Sequence, residues 1–167
     1  MTLIIENGSA ASSSANSYYS VASTSAYLNS RGFTAWANAS TVTKETSLIN
    51  AMYYMEVLPW KGQKSLSTDP LVWPRRGMLD RDGYVIYSDE IPIQIKQGQA
   101  QIAYRYYLGT PPFTDIASGD GYVTREKIGP VEISYSMGYS TSYKFPEIDA
   151  LLSPFLDGSL SVLVERA

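Results

Sequence analysis

Three prolines set the limits on what this chain can fold into. Pro59 lacks the amide that a helix interior needs, so it ends any helix arriving from the N-terminal side. Pro92 and Pro146 each open a run of helical periodicity, where proline gives up only a donor that had no intrahelical partner. Upstream of Pro59, from about residue 42 to 57, Leu48, Ile49, Met52, Tyr53 and Glu56 fall at helical spacing, with Thr41 or Thr43 placed to cap them. After Pro92, Ile95, Gln99, Ile102, Ala103 and Tyr106 form an inner stripe that Gly109 closes. Gly98 within that stripe costs about 1 kcal/mol against alanine, which points to a close neighbouring backbone. After Pro146, Ile148, Leu151, Leu152 and Phe155 share one face. An earlier helix spans about 21–31 with Tyr27 and Leu28 inward and Gly32 at its end, and Trp36 packs into the core from the following connection.

What lies between the helices is extended or irregular. A short strand is expected at 2–5, followed by a small, polar loop. Residues 60–88 show no helical period, yet two tryptophans with Leu66, Leu71 and Val72 are too apolar for a free linker. The end of this segment, MLDRDGYVIYS, reads as a hairpin turning at Asp82 and Gly83. A second hairpin pairs YVTREKI with VEISYSM around Gly129 and Pro130. A chain of 167 residues supports a single core. The expected fold is therefore mainly α: a small bundle of about four helices, two short β-hairpins and an extended C-terminal tail. Residues 1–159 form the domain and the apolar, β-prone 160–167 the tail.

The sequence contains no histidine and no cysteine, which excludes thiolate and imidazole mechanisms and Cys/His zinc sites. Neither G-x-S-x-G nor a P-loop occurs, and no apolar run is long enough to span a membrane. The N-terminus has no basic region leading a long apolar run, so no signal peptide is expected in it. Asp80, Asp82 and Gly83 match part of a calcium loop, but the glycine falls two places early and an Asp-Gly turn explains the same letters. Asp89 with Glu90, and Glu147 with Asp149, sit where acids complement a helix dipole. Neither enzymatic activity nor a metal or cofactor is expected.

Arg75 and Arg76, after Trp73 and Pro74, suit a phosphate or carboxylate clamp, a structural ion pair or a subunit contact. A net charge of −3 opposes a protein that coats nucleic acid. Among 14 tyrosines, Tyr53, Tyr54, Tyr104, Tyr106 and Tyr107 decorate two helices on more than one face, so some are left for the surface or an interface. Stacking on single-stranded DNA would call for a basic groove, and these helices carry few cations beyond Lys96 and Arg105.

The strings WKG, WPR, DRDG, EIP and IGPVEISY, in this order, span nearly the whole chain. In them the chain resembles tailed-phage proteins that carry the label DnaT-like and, in organisation, the head–tail connector (adaptor) family typified by the HK97-like connector. That resemblance implies a structural virion protein of the neck, made in the host cytoplasm: a small helical subunit in a ring, commonly dodecameric, between the portal protein and a tail or tail-completion protein. DNA would pass through its lumen without specific binding. Leu160, Val162, Leu163, Val164, Glu165 and Arg166 would then dock on the portal. Tyr53, Tyr54, Trp60, Trp73, Arg75, Arg76 and Tyr107 would join subunits, and the hairpin with Arg125, Lys127, Gly129 and Pro130 would face the tail or the lumen. The label itself comes from a primosomal protein that binds single-stranded DNA. A single-stranded-DNA-binding replication accessory is therefore the second reading, for which no basic, aromatic groove is visible in the sequence.

Overall fold

The computed structural model describes residues 2–9, 12–112, 125–128, 131–134 and 145–157. Four α-helices carry it: α1 (Val21–Ser30), α2 (Thr41–Glu56), α3 (Ile93–Tyr107) and α4 (Pro146–Leu152), with 3-10 turns at Thr34–Asn38 and Ser153–Phe155. Three antiparallel pairs of short strands complete it: β1 (Gln63–Lys64) with β2 (Arg75–Arg76), β3 (Met78–Leu79) with β4 (Val85–Ile86), and β5 (Arg125–Ile128) with β6 (Val131–Ser134). The fold is mainly α, with the two expected hairpins and a third pairing inside the 60–88 segment. The tail at 160–167 lies outside the described residues.

Helix boundaries follow local chemistry. Ser40 caps α2, its hydroxyl accepting from the Thr43 amide at 3.1 Å, so the cap is neither Thr41 nor Thr43. Ser20 does the same for α1 through the Ser23 amide. Pro92 is the N-cap of α3 rather than its first helical residue. Instead of a regular strand, residues 2–5 contribute an isolated parallel bridge from Ile5 to Ser17.

α3 lies at the centre, packed on α2 and also on α4 and α1. Leu48, Met52 and Met55 of α2 meet Ile95, Ile102 and Ala103 of α3, with Leu28 of α1 and Ile148 and Leu152 of α4 in the same core. Tyr53 and Glu56, which share the helical spacing, are exposed, because the buried stripe of α2 runs through Ser47, Leu48, Ala51, Met52 and Met55. The close neighbour of Gly98 is a side chain: a Cβ there would fall 2.7 Å from Leu152 Cδ2, so glycine lets α4 settle onto α3. Trp36 packs edge-on against Tyr107, and Trp73 edge-on against both Trp60 and Phe155.

One polar residue organises this apolar centre. Gln99 is fully buried, and its amide nitrogen donates to Ser17 Oγ at 2.8 Å and to the Leu48 carbonyl at 3.0 Å. Its oxygen accepts from the Tyr18 amide at 2.9 Å. A buried amide side chain satisfied in this way ties the N-terminal segment, α2 and α3 together. Tyr18 extends the link, its phenolic oxygen accepting from the Trp73 amide at 2.9 Å. Burial pushes that phenol far above its ordinary pKa, despite the opposing effect of the Trp73 amide.

Candidate functional site

In the 60–88 segment the chain leaves the helical layer, and Arg75 determines its shape. Its Nε donates to the Lys61 carbonyl at 2.6 Å, Nη1 to the Val72 carbonyl at 3.0 Å, and Nη2 to the Gly62 and Trp60 carbonyls at 2.8 and 3.3 Å. The guanidinium fork thus gathers carbonyls from both arms of the loop. Burial lowers its pKa from the ordinary value. Gly62 permits the approach: it has φ +67°, and a Cβ there would run into the Arg76 carbonyl.

Successive side chains of a strand point to opposite sides, so Arg76 faces outward where Arg75 faces in. Arg76 is exposed and donates to Gln63 Oε1 at 3.3 Å. The same alternation sorts the neighbouring hairpin, in which Met78 pairs with Ile86 and both are buried, while Leu79 pairs with Val85 and both are exposed. Asp80 makes the turn: its Oδ1 accepts from the Asp82 and Tyr84 amides at 2.9 and 2.8 Å. That is an Asx turn, so this carboxylate serves the backbone in place of the calcium-loop role its spacing suggested. Gly83 occupies φ +88° within it.

Four large side chains stand in solvent on about ten residues: Leu79 at 52% exposure, Val85 at 68% and Tyr87 at 71%, and Tyr84 at 73% where the turn meets β4. Arg81 is exposed at the tip beside them. Among the described residues Arg31 forms an ion pair with Glu147, and neither Arg76 nor Arg81 is paired with a carboxylate. Between residues 60 and 88 there are five lysines and arginines against three aspartates, a small cationic excess within an acidic chain.

The residues expected at subunit contacts are divided by the structure. Trp60, Trp73 and Arg75 are buried within their own chain, the tryptophans as core and Arg75 as the loop's organiser. Tyr107 is half-buried against Trp36 and Tyr104, and Tyr54 is half-buried on the core. Tyr53 and Arg76 are exposed. The helix tyrosines are not an open platform either, since Tyr104 and Tyr106 also pack on the core and the Arg105 guanidinium sits 5.1 Å over the Phe145 ring. Arg125 and Lys127 lie in β5, opposite Ser134 and Glu132 of β6. Gly129, Pro130 and the tail residues Leu160, Val162, Leu163, Val164, Glu165 and Arg166 lie outside the described residues.

Tyr84 and Tyr87 are the candidates that sequence reasoning missed. In YVIY they read as parts of an apolar strand, and only the burial of Met78 and Ile86 reveals which side of the hairpin is left open. The available signal was their position on either side of a two-residue strand, beside Arg81.

A sequence model of the family described as "Putative DnaT-like ssDNA binding protein" matches residues 1–167, and the chain belongs to that family. No curated protein and no solved structure matches it. The family match overturns the head–tail connector reading. With that reading go the portal and tail partners, the virion-neck ring, and DNA passing through a lumen without specific binding.

Proposed function

We propose that this protein binds single-stranded DNA, in the manner of a replication accessory factor, through the exposed side chains of the β3–β4 hairpin. Family membership supports the ligand. The observation that carries the site is the exposure of Tyr84 and Tyr87 on a hairpin that also exposes Arg81, with Arg76 exposed in the preceding strand; both arginines are free of carboxylate partners among the described residues. An unpaired base has two π-faces that a tyrosine ring can cover, at about 1–3 kcal/mol per stacked base, and an arginine alongside can meet the phosphate that links it to the next.

The buried side of the segment supplies rigidity. Arg75 holds the loop by four backbone carbonyls, and Met78 and Ile86 seat the hairpin on the core, so the platform is formed before the ligand arrives. The lack of histidine and cysteine favours holding a strand over catalysis on it. Fluorescence anisotropy of a labelled oligo-dT at physiological salt tests the proposal. Saturable binding is expected, weakened by Arg76→Gln with Arg81→Gln. No binding up to about 10⁻⁴ M, the weak end of ordinary non-specific DNA affinity, overturns it.

A further inference from the structure

The hairpin that carries the exposed tyrosines also carries acids. Asp82 stands two residues before Tyr84 at the tip, and Asp89 and Glu90 follow Tyr87 in a turn closed by the Glu90 amide donating to the Tyr87 carbonyl at 3.0 Å. All three are exposed, and none is in an ion pair among the described residues. The tyrosine pair is thus flanked by carboxylates on both sides in the chain, while the exposed cation of the hairpin itself is Arg81, with Arg76 exposed in the preceding strand. A duplex presents one phosphate per roughly 1.7 Å of axis and no exposed base face, so binding it depends on many cations displacing counterions. This face has too few cations for that, and its acids would meet the second strand's phosphates.

We propose that the hairpin selects unpaired DNA over duplex by reading base faces rather than backbone charge, with Tyr84 and Tyr87 stacking on bases and Asp82, Asp89 and Glu90 excluding a second strand. This rests on the single-strand reading above and adds a rule of selection to it. Two consequences separate it from ordinary charge-driven binding. Salt dependence is shallow: two neutralised phosphates on a single strand give a slope of log affinity against log salt no steeper than about −1.4, a fall of about 7-fold between 50 and 200 mM. Affinity also requires bases, so a strand of the same charge without them binds poorly.

The full chain is titrated against three probes of about twenty nucleotides, namely oligo-dT, an abasic strand and a dT·dA duplex, across that salt range. The expected result is oligo-dT bound at least about 10-fold more tightly than either competitor, with the shallow slope. The variant Asp82→Asn, Asp89→Asn, Glu90→Gln is expected to tighten duplex binding severalfold and to change oligo-dT affinity by less than about 3-fold, on the principle that like-charge contacts exclude wrong partners. Abasic strand bound as well as oligo-dT, a much steeper slope, or a variant with unchanged duplex affinity would overturn the selection rule and leave single-strand binding standing. Absence of oligo-dT binding at every salt concentration would overturn the underlying reading and this one with it.

Discussion

The layer of α2 and α3 and the 60–88 segment are held by different means. In the helices the stabilising groups repeat: Leu48, Met52 and Met55 meet Ile95, Ile102 and Ala103 along two stripes, and Gln99 adds one satisfied polar link at the centre. In the segment there is no stripe. One side chain, Arg75, gathers four carbonyls, and short strand pairs carry the chain out and back. The helical layer turns most of its large side chains inward, with Val42, Tyr53 and Ile93 exposed, whereas the short hairpin of the segment leaves Leu79, Tyr84, Val85 and Tyr87 in solvent together. Exposed apolar surface that is not needed for folding is the kind that marks a binding site.

The largest expected effect comes from breaking the helical layer's polar link. Gln99→Leu keeps the volume but strands the Tyr18 amide in a dry core and removes the donor to Ser17 Oγ, and should lower stability by about 3 kcal/mol in denaturant unfolding. Arg75→Met is expected to cost less, about 2 kcal/mol, because carbonyls at a loop can be met by water. Its signature is local. Amide exchange should rise across 61–76 while α2 and α3 keep their protection, and equal loss in the helices would dissolve the distinction between the regions.

The connection between them is sensitive to alkali. The Tyr18 phenol is neutral and its pKa is raised in the folded chain, so the folded state holds a proton that the unfolded state releases above about pH 10. Stability from this group is complete below that pH and declines above it, by about 1.4 kcal/mol per pH unit; thermal unfolding of Tyr18→Phe should show a shallower alkaline slope. The smallest effect is expected on the outer face. Tyr84→Ala with Tyr87→Ala should leave the unfolding midpoint within about 0.5 kcal/mol of the native protein, and a larger loss would show that these rings support the fold.

The sequence legibly encodes the helical layer because its information is periodic. Pro59, Pro92 and Pro146 mark limits, Ile95, Gln99, Ile102 and Ala103 fall inward as their spacing indicates, and Gly98 signals a close approach although not that Leu152 makes it. Caps were less legible, since Ser40, Thr41 and Thr43 offer the same hydroxyl and only backbone geometry selects Ser40. The segment resisted because its determinants are contacts between a side chain and distant backbone, which leave no period. Arg75 and Arg76 are the same letter twice, and their opposite fates depend on which side of a two-residue strand meets the core. For the same reason the helix tyrosines attracted notice while Tyr84 and Tyr87 read as strand. The strings that suggested a connector lie within the whole-chain match to the family described as "Putative DnaT-like ssDNA binding protein".

The central claim is that the exposed hairpin tyrosines hold the strand. Its most direct measurement is the dissociation constant for oligo-dT of the native chain and of Tyr84→Ala with Tyr87→Ala, taken at one salt concentration with folding checked in both. Two lost stacks should weaken binding by at least about 10-fold while the fold persists. Equal affinity in the two proteins would contradict the account and place the DNA elsewhere on the molecule.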